Sequence, residues 1–211
     1  MHQDQKIPQN QQCPECLRPR SICLCGKIEK LTSGLKVVIL QHPAEQDKLW
    51  NSSRLAHTMI DESLLCVGLS WPNLKKIAGP NATGRRWGVL HIKGSDTHDP
   101  AAAPVQVFKR NKPMTDFSKI EGIVVLDGSW KQAKALWWRN PWLVRLLRIH
   151  LSPDHPSLRT QTKSSGLSTI ESIALAALHL KQSADVAEKL ISAYRIHIIE
   201  PSTQYLKSGG K

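Results

Sequence analysis

The sequence predicts an α/β fold in which a mainly parallel sheet is flanked by helices. Short, continuous apolar runs such as residues 35–40 and 122–126 are typical of strands that are buried on both faces. Segments with apolar residues at helical spacing alternate with these runs, which is the pattern of strand-helix-strand units. A length of 211 residues is enough for one such domain with a small appendage.

Each element follows from its local pattern. The apolar runs predict strands at residues 35–40, 87–92, 104–108, 122–126 and 144–151. Apolar residues at helical spacing predict helices at residues 51–65, 130–139, 168–181 and 185–194. The second helix should end before Pro141, because proline disfavours helical geometry in the residue that precedes it. Cys66 has an apolar, helical context and is expected to be a buried, small hydrophobic residue.

The composition changes along the chain and divides it into four parts. They are a disordered polar tail (1–12), a cysteine-rich knuckle (13–30), the α/β domain (31–200) and a C-terminal tail (201–211). The α/β domain contains every predicted strand and helix, so we expect it to hold the functional site.

The chain is strongly basic, with 29 Lys and Arg against 17 Asp and Glu and a net charge of +12. Such a charge favours a polyanionic partner, either nucleic acid or an anionic membrane surface. The longest apolar runs are far shorter than the ~20 residues that a membrane-spanning helix needs. The N-terminus shows no apolar leader segment. We therefore expect a cytoplasmic protein with no membrane association.

Four of the five cysteines lie close together, at Cys13, Cys16, Cys23 and Cys25, in the pattern C-x2-C-x6-C-x-C. In a cytosolic protein a tight thiol cluster favours a metal site over disulfides. Four thiolates complete the tetrahedral coordination of Zn²⁺ and leave no open position, so this zinc would be structural. Free or redox-active thiols and an iron–sulfur cluster are the alternatives.

The segment from Leu126 to Trp130 predicts a strand that ends in an acid and turns directly into a helix. Open α/β sheets build their sites at the carboxyl ends of strands, where helix N-termini supply backbone N–H groups. Asp127 could there act as a base or hold a ligand amine, whereas the alternative is a solvated turn residue. Ser129 and Gln132 fit a capping box, so capping is the simplest role of Ser129.

A second capping box, Ser168 with Glu171, opens the next helix after the polar loop that precedes it. Glu171 is therefore expected to cap this helix whatever the function. The loop before it carries Arg159, Lys163 and Gly166, which could approach a ligand from above.

Aromatic and basic residues concentrate in the second helix and after it: Trp130, Lys131, Lys134, Trp137, Trp138, Arg139, Trp142, Arg145 and Arg148. Tryptophans and cations together suit unpaired bases and phosphates. The alternative is that Trp130, Trp137 and Trp138 form core, because they share one face of the helix, and at least two tryptophans are expected to be buried. His42, after the first strand, and Arg54, at the start of the first helix, suit contact with a phosphate or ligand. Walker A, G-x-G-x-x-G and H-E-x-x-H motifs are absent, which argues against nucleotide hydrolysis, ordinary dinucleotide binding and zinc proteolysis.

Taken together, four motifs resemble the DTW-domain family of tRNA-uridine aminocarboxypropyltransferases. They are the four-cysteine knuckle, His42-Pro43-x-Glu45 with Asn51-Ser52, Leu126-Asp127-Gly128-Ser129-Trp130, and Leu167-Ser168-Thr169-x-Glu171. The resemblance covers nearly the whole chain after residue 12. The family usually has Thr where this chain has Ser129, and no functional change is expected because both side chains carry a hydroxyl group.

The resemblance implies a fold related to the knotted SPOUT methyltransferases, with S-adenosylmethionine (SAM) at the carboxyl ends of the strands. It implies transfer of the 3-amino-3-carboxypropyl group of SAM to N3 of a tRNA uridine, with a variable-loop uridine as the expected target. The released product would be 5′-methylthioadenosine. A SAM-dependent methyltransferase of the same fold and a non-catalytic zinc protein that binds RNA are the alternatives.

Site residues follow from this resemblance. Asp127 is the candidate catalytic base, or else it holds the ammonium group of the methionine moiety. Residues expected to bind SAM are Leu126, Gly128, Ser129, Trp130, Leu167, Ser168, Thr169 and Glu171. Residues expected to bind tRNA are His42, Arg54, Lys131, Lys134, Arg139, Arg159 and Lys163. Trp130 could also stack on an unstacked uridine. We expect tRNA as the partner and see no sign of a protein partner.

Overall fold

The computed structural model describes residues 11–16, 18, 20, 23–91, 103–159 and 166–207. Its strands are β1 (Lys36–Gln41), β2 (Ser63–Val67), β3 (Trp87–His91), β4 (Val105–Lys109), β5 (Lys112–Met114), β6 (Gly122–Asp127) and β7 (Leu147–Leu151). Its α-helices are α1 (Ser52–Met59), α2 (Leu74–Ala78), α3 (Trp130–Arg139), α4 (Thr169–Lys181), α5 (Ala184–Tyr194) and α6 (Glu200–Lys207). A π-helix, Arg195–Ile199, joins α5 to α6.

The strands form one seven-stranded sheet in the order β2-β1-β6-β3-β7-β4-β5. In this order, the first five strands are parallel to their neighbours. Strands β4 and β5 then add an antiparallel edge beside β7. The predicted α/β fold with a mainly parallel sheet is therefore confirmed. Because β6 lies between β1 and β3 and all three are parallel, their carboxyl ends lie side by side at one edge of the sheet.

Both faces of the sheet are buried, as the continuous apolar runs predict. Along β1, Val37 and Ile39 face one apolar cluster, while Val38 and Leu40 face a second. This division follows from the alternation of side chains along a strand. Helices α1, α4 and α5 contribute to the first cluster; α2 and the turn at Pro141–Arg145 contribute to the second.

The helix predicted at residues 51–65 is wrong in its second half. Helix α1 ends at Met59, and the next residues form β2 beside β1. The end is fixed by Ser63, whose hydroxyl lies 2.6 Å from the Ile60 carbonyl and so satisfies an acceptor at the end of the helix. Cys66 consequently lies on an edge strand, where it is partly rather than fully buried, and burial raises the pKa of its thiol.

Short elements account for most other differences. Sequence patterns did not predict α2, β5 or α6, which are brief or lie at the edge of the fold. Strand β7 begins at Leu147 rather than at residue 144, because Pro141–Arg145 forms a 3₁₀-helix. Helix α6 extends to Lys207, within the stretch that was expected to be a tail. No helix in the described part of the chain is long and apolar enough to cross a membrane, and the cytoplasmic location stays a prediction.

Candidate active site

A cavity of about 880 Å³ opens at the carboxyl end of β6. Its walls come from the segment between β1 and α1, the first turns of α3 and α4, and α6. Clefts of this size, at the carboxyl ends of parallel strands, are typical small-molecule sites in α/β folds. The cavity therefore defines the candidate active site.

Asp127, the last residue of β6, lies on the cavity wall and is only 8% exposed. Its Oδ2 accepts hydrogen bonds from Gln41 Nε2 at 2.8 Å and from the Ser53 hydroxyl at 2.9 Å. Its Oδ1 accepts from the Thr169 hydroxyl at 2.5 Å. These three contacts come from different parts of the chain, so they fix the carboxylate at the cavity wall. The alternative of a solvated turn residue is therefore wrong.

Three separate elements bring these donors to Asp127. The parallel register of β1 and β6 pairs Gln41 directly with Asp127. Ser53 lies in the first turn of α1, which Asn51 caps by accepting a hydrogen bond from the Arg54 N–H. Thr169 is the first residue of α4 and comes from the other side of the cavity. The carboxylate is thus held by three parts of the fold at once.

The start of α3 forms the predicted capping box on an open wall of the cavity. The Ser129 N–H donates to Gln132 Oε1 at 2.6 Å, and the Gln132 N–H donates to Ser129 Oγ. Gly128 is required here, since a Cβ atom would lie 2.8 Å from the Cβ of Gln132. Trp130 follows with 49% of its surface exposed and lines the cavity.

The start of α4 forms the second predicted capping box, in a closed environment. Glu171 is 2% exposed and accepts from the Ser168 N–H, the Leu158 N–H and the Ser157 hydroxyl, at 2.7–2.8 Å. Its carboxylate ties the segment before α4 to the helix. Ser168 and Thr169 line the cavity, as does Leu167, whereas Glu171 lies behind this wall. The expected capping role of Glu171 is confirmed, whereas the expectation that it contacts SAM does not agree with its place behind the wall.

The expected tRNA-binding cations do not share one environment. Lys131, Lys134, Arg139 and Arg159 are exposed, and Lys134 and Arg159 also line the cavity. His42 is half-buried, and its Nδ1 accepts from the Ala44 N–H at the start of a 3₁₀ turn. Lys163 lies outside the described residues.

Arg54 differs from the other cations, because the fold encloses it. It is 6% exposed, and burial lowers the pKa of its guanidinium, while the charges of Asp47 and Asp127 raise it. The positive charge therefore supports the acidic groups around Asp127 from inside the fold. The expectation that Arg54 contacts tRNA does not agree with this burial.

The tryptophans around α3 are more exposed than expected. Trp138 is 72% exposed and Trp130 is 49% exposed, while Trp137 is half-buried. Only Trp142 of this group is buried, with its indole N–H donating to the Trp71 carbonyl at 3.0 Å. The expectation that at least two are buried is therefore wrong, and helix α3 presents aromatic surface at the cavity.

The four knuckle cysteines converge on one point. Their Sγ atoms lie within 4.8 Å of one another, with 3.8 Å between Cys13 and Cys25 and 3.7 Å between Cys16 and Cys23. Tetrahedral Zn²⁺ with Zn–S bonds of about 2.3 Å needs sulfur separations of about 3.8 Å. A hydrogen bond from the Cys16 backbone lowers the pKa of Cys13 to about 7. The donor set and its dimensions therefore fit a metal ion.

Arg18 connects the knuckle to the end of the chain. It is 4% exposed and donates from Nη1 to the His197 carbonyl in the π-helix at 3.4 Å. Burial lowers the pKa of its guanidinium, and the adjacent thiols of Cys16 and Cys23 raise it. The knuckle is thereby fixed to the π-helix that leads into α6, one wall of the cavity.

A family model described as DTW domain matches residues 10–199. The chain belongs to the DTW domain family. No solved structure matches it significantly.

Three curated relatives of this DTW domain carry the name tRNA-uridine aminocarboxypropyltransferase 2. The chain is 24% identical to the one from Macaca fascicularis, 26% to the one from Drosophila melanogaster and 22% to the one from Mus musculus. Each alignment covers 85% of this chain. The chain spans 60% of the length of the macaque and mouse proteins and 70% of the fly protein.

Several residues of this DTW domain belong to the site without having been predicted for it. Gln41 and Ser53 donate to Asp127, and Asn51 connects Ser53 to the preceding loop. Glu45 and Lys48 form an ion pair on the cavity wall. Gln41 could have been found as a polar residue that ends an apolar strand. Glu45 and Asn51 belong to a motif that carries the family resemblance, although it gave them no role. Ser53 and Lys48 have no local signal beyond their place between β1 and α1.

Proposed function

We propose that this protein transfers the 3-amino-3-carboxypropyl group of SAM to N3 of a variable-loop uridine in tRNA, releasing 5′-methylthioadenosine. The observation that carries this proposal is the buried carboxylate of Asp127, fixed by three donors beside a cavity of about 880 Å³. The relatives supply the reaction class, since they are named tRNA-uridine aminocarboxypropyltransferases.

The cavity suits SAM in size and in its mixture of polar and apolar surface. The backbone at Leu126, Gly128 and Leu167 would hold adenine and ribose, and these residues line the cavity. Gly128 lets the chain turn tightly into α3, since a Cβ atom there would clash with Gln132, and this brings the start of the helix to the cavity. Ser129 and Ser168 also line the cavity, but their hydroxyls already cap helices.

The reaction needs a base and a fixed geometry. N3 of uridine forms a bond to the carbon of the aminocarboxypropyl group that is attached to sulfur. The carbon–sulfur bond breaks, its electron pair stays on sulfur, and neutral methylthioadenosine leaves. Asp127 takes the N3 proton, since its carboxylate lies at the cavity and is positioned by three neighbouring elements. The carbon that faces N3 decides which group moves, so positioning decides the product.

The tRNA would approach along α3. A uridine must be unstacked to expose N3 to a buried carboxylate. Trp130 is exposed at the cavity and could stack on that base. Lys131, Lys134 and Arg139 are exposed on the same helix and Arg159 is exposed nearby, so they could hold phosphates.

We further propose that the knuckle binds Zn²⁺ with a structural role. All four tetrahedral positions would be taken by Cys13, Cys16, Cys23 and Cys25, which leaves none for a reacting water. One zinc per chain in the purified protein, lost in a Cys16→Ser variant together with thermal stability, is the expected result. A protein that keeps its stability without metal would contradict this role.

We also propose that the sheet belongs to a knotted, SPOUT-like fold. In support, β6 lies between β1 and β3 although it follows both along the chain. Pulling the two ends of the chain apart mechanically tests the knot. A knotted chain reaches a shorter final length than a chain of 211 residues without a knot.

Product analysis tests the reaction. The purified protein is incubated with unmodified tRNA and SAM, and we expect methylthioadenosine and a uridine heavier by one aminocarboxypropyl group. S-adenosylhomocysteine would instead indicate a methyltransferase, and tRNA binding without either product would indicate a binding protein. Asp127→Asn should abolish the reaction, whereas Asp116→Asn, at an exposed residue in a different loop, should not.

A further inference from the structure

Glu45 and Lys48 form an ion pair on the cavity wall that the proposed reaction has not used. Lys48 Nζ lies 2.8 Å from Oε1 and 2.8 Å from Oε2 of Glu45. The Glu45 side chain is 11% exposed, whereas that of Lys48 is 44% exposed. Both residues line the cavity. A buried carboxylate is costly unless it is paired, so Lys48 stabilises Glu45 in its position on this wall.

The loop holds this pair firmly. The Glu45 N–H donates to the His42 carbonyl at 2.9 Å, which closes a 3₁₀ turn. Asn51 Nδ2 donates to the Glu45 carbonyl at 3.0 Å, which fixes the other side of the residue. The carboxylate therefore has a defined place on the wall, while Lys48 keeps the freedom of a long, half-exposed side chain.

The pair also has unused hydrogen-bonding capacity. A carboxylate offers about four acceptor positions, and an ammonium group offers three donors. In the described part of the chain, Lys48 is the only side chain that donates to the Glu45 carboxylate. The two groups therefore present one negative and one positive charge side by side. The carboxylate can accept further hydrogen bonds, and the ammonium group can donate further ones.

A short network connects this pair to Asp127. Asn51 donates to the Glu45 carbonyl, and its Oδ1 lies 2.5 Å from the Ser53 hydroxyl oxygen. That oxygen lies 2.9 Å from Asp127 Oδ2. The ion pair and the proposed base are thus two parts of one polar wall.

We propose that Glu45 and Lys48 bind the amino-acid end of the co-substrate. Glu45 accepts hydrogen bonds from the α-ammonium group, and Lys48 donates to the α-carboxylate. A zwitterion carries both charges on one carbon, so it matches a paired anion and cation without adding net charge to the wall. This inference rests on the proposed function, because it assigns a subsite for the group that the enzyme transfers.

This assignment separates two roles that the sequence leaves together on Asp127. Three groups already contact the two oxygens of Asp127, so an ammonium group and the N3 proton would compete for the acceptor capacity that remains. With the zwitterion on Glu45 and Lys48, Asp127 remains available to take the N3 proton. Anchoring the amino-acid end also holds the aminocarboxypropyl carbon, rather than the methyl carbon, towards the uridine.

Comparing two ligands tests the subsite. Methylthioadenosine has the nucleoside and sulfur of SAM but lacks the amino-acid end. Calorimetry of both ligands with Glu45→Gln and with Lys48→Met should show SAM affinity lowered roughly tenfold or more, as for lost charged hydrogen bonds. Methylthioadenosine affinity should stay within about twofold of the wild type. Lys75→Met, an exposed change in α2 away from the cavity, should alter neither affinity.

The outcomes distinguish this subsite from a structural ion pair. An equal loss of affinity for both ligands, or no loss for SAM, would overturn the assignment. Lys48→Met keeps the test valid when Glu45→Gln does not fold, because Lys48 is half-exposed. A wild-type protein that binds neither ligand would overturn the proposed function and, with it, this subsite. A wild type that binds both, with unaffected variants, would overturn the subsite alone.

Discussion

Helices α3 and α4 begin at the same cavity with the same capping motif, but in different surroundings. Ser129 and Gln132 cap α3 on an exposed wall, where each group can also reach water or a ligand. Ser168 and Glu171 cap α4 in the interior, and Glu171 additionally holds the segment before the helix. One motif thus forms an open ligand surface in one place and an internal anchor in the other. Burial, rather than the motif, decides which role is possible.

The first residue of each helix follows the same division. Trp130 begins α3 and is half-exposed at the cavity, where a base could stack on it. Thr169 begins α4 and donates its hydroxyl to Asp127, so it positions the carboxylate. We therefore expect changes at α4 to act mainly on stability and changes at α3 to act mainly on binding.

The largest effect is expected for Glu171→Ala. This change leaves three donors, from Ser157, Leu158 and Ser168, without their acceptor in the interior. We expect the free energy of unfolding to fall by about 3 kcal/mol, measured by urea denaturation. The matched change at α3, Gln132→Ala, should cost less than about 1 kcal/mol because water can replace its exposed group. Equal losses at the two positions would contradict the comparison.

Trp130→Ala should act on binding with little effect on stability. Stacking of a base on an aromatic side chain contributes about 1–3 kcal/mol, so tRNA affinity should fall roughly tenfold. The free energy of unfolding should change by less than about 1 kcal/mol, since half of the side chain is already exposed. Val144→Ala, at an exposed apolar residue away from the cavity, is the control for both measurements. A large loss of stability with unchanged tRNA affinity would make Trp130 a core residue.

Removing the capping hydroxyls should give a smaller difference in stability between variants at the start of α3 and variants at the start of α4. Ser168 is 4% exposed, so Ser168→Ala leaves the Glu171 N–H unpaired in the interior and should cost about 1–2 kcal/mol. Ser129→Ala, on the exposed wall, should cost less than about 1 kcal/mol. Urea denaturation of the two variants gives the difference directly. A greater loss at Ser129 would reverse the proposed division.

The central strands could be predicted from sequence because their apolar runs fit only a sheet buried on both faces. The sequence does not reveal that residues 51–65 contain the end of a helix and the start of a strand. Apolar residues keep helical spacing across the end of α1, at Leu55, Met59, Ile60 and Leu64. Side chains on a short edge strand such as β2 are partly exposed, so its apolar pattern is weak. The turn at Ser63 depends on a contact that periodicity does not report.

The candidate site, too, could be predicted from sequence only in part. Asp127 could be predicted because a strand, an acid and a helix start lie together in sequence. Its partners Gln41 and Ser53 lie 86 and 74 residues away along the chain, so only the β1–β6 register and the start of α1 reveal them. Arg54 is a cation at the start of a helix, which suggested contact with RNA, but the fold encloses it. No local sequence pattern indicates that burial. Capping boxes were predictable because they depend on residues three positions apart.

The smallest effect is expected for Ser129→Thr, which introduces the residue that the family resemblance leads us to expect here. Both side chains place a hydroxyl on Cβ, and Ser129 is exposed at the start of α3. We expect the free energy of unfolding to stay within about 0.5 kcal/mol of the wild type and product formation to be unchanged. Denaturation and product analysis of the same preparation check both. A clear fall in product formation at unchanged stability would mean that Ser129 contacts the co-substrate as well as capping the helix, and the open wall at α3 would then bind SAM as well as tRNA.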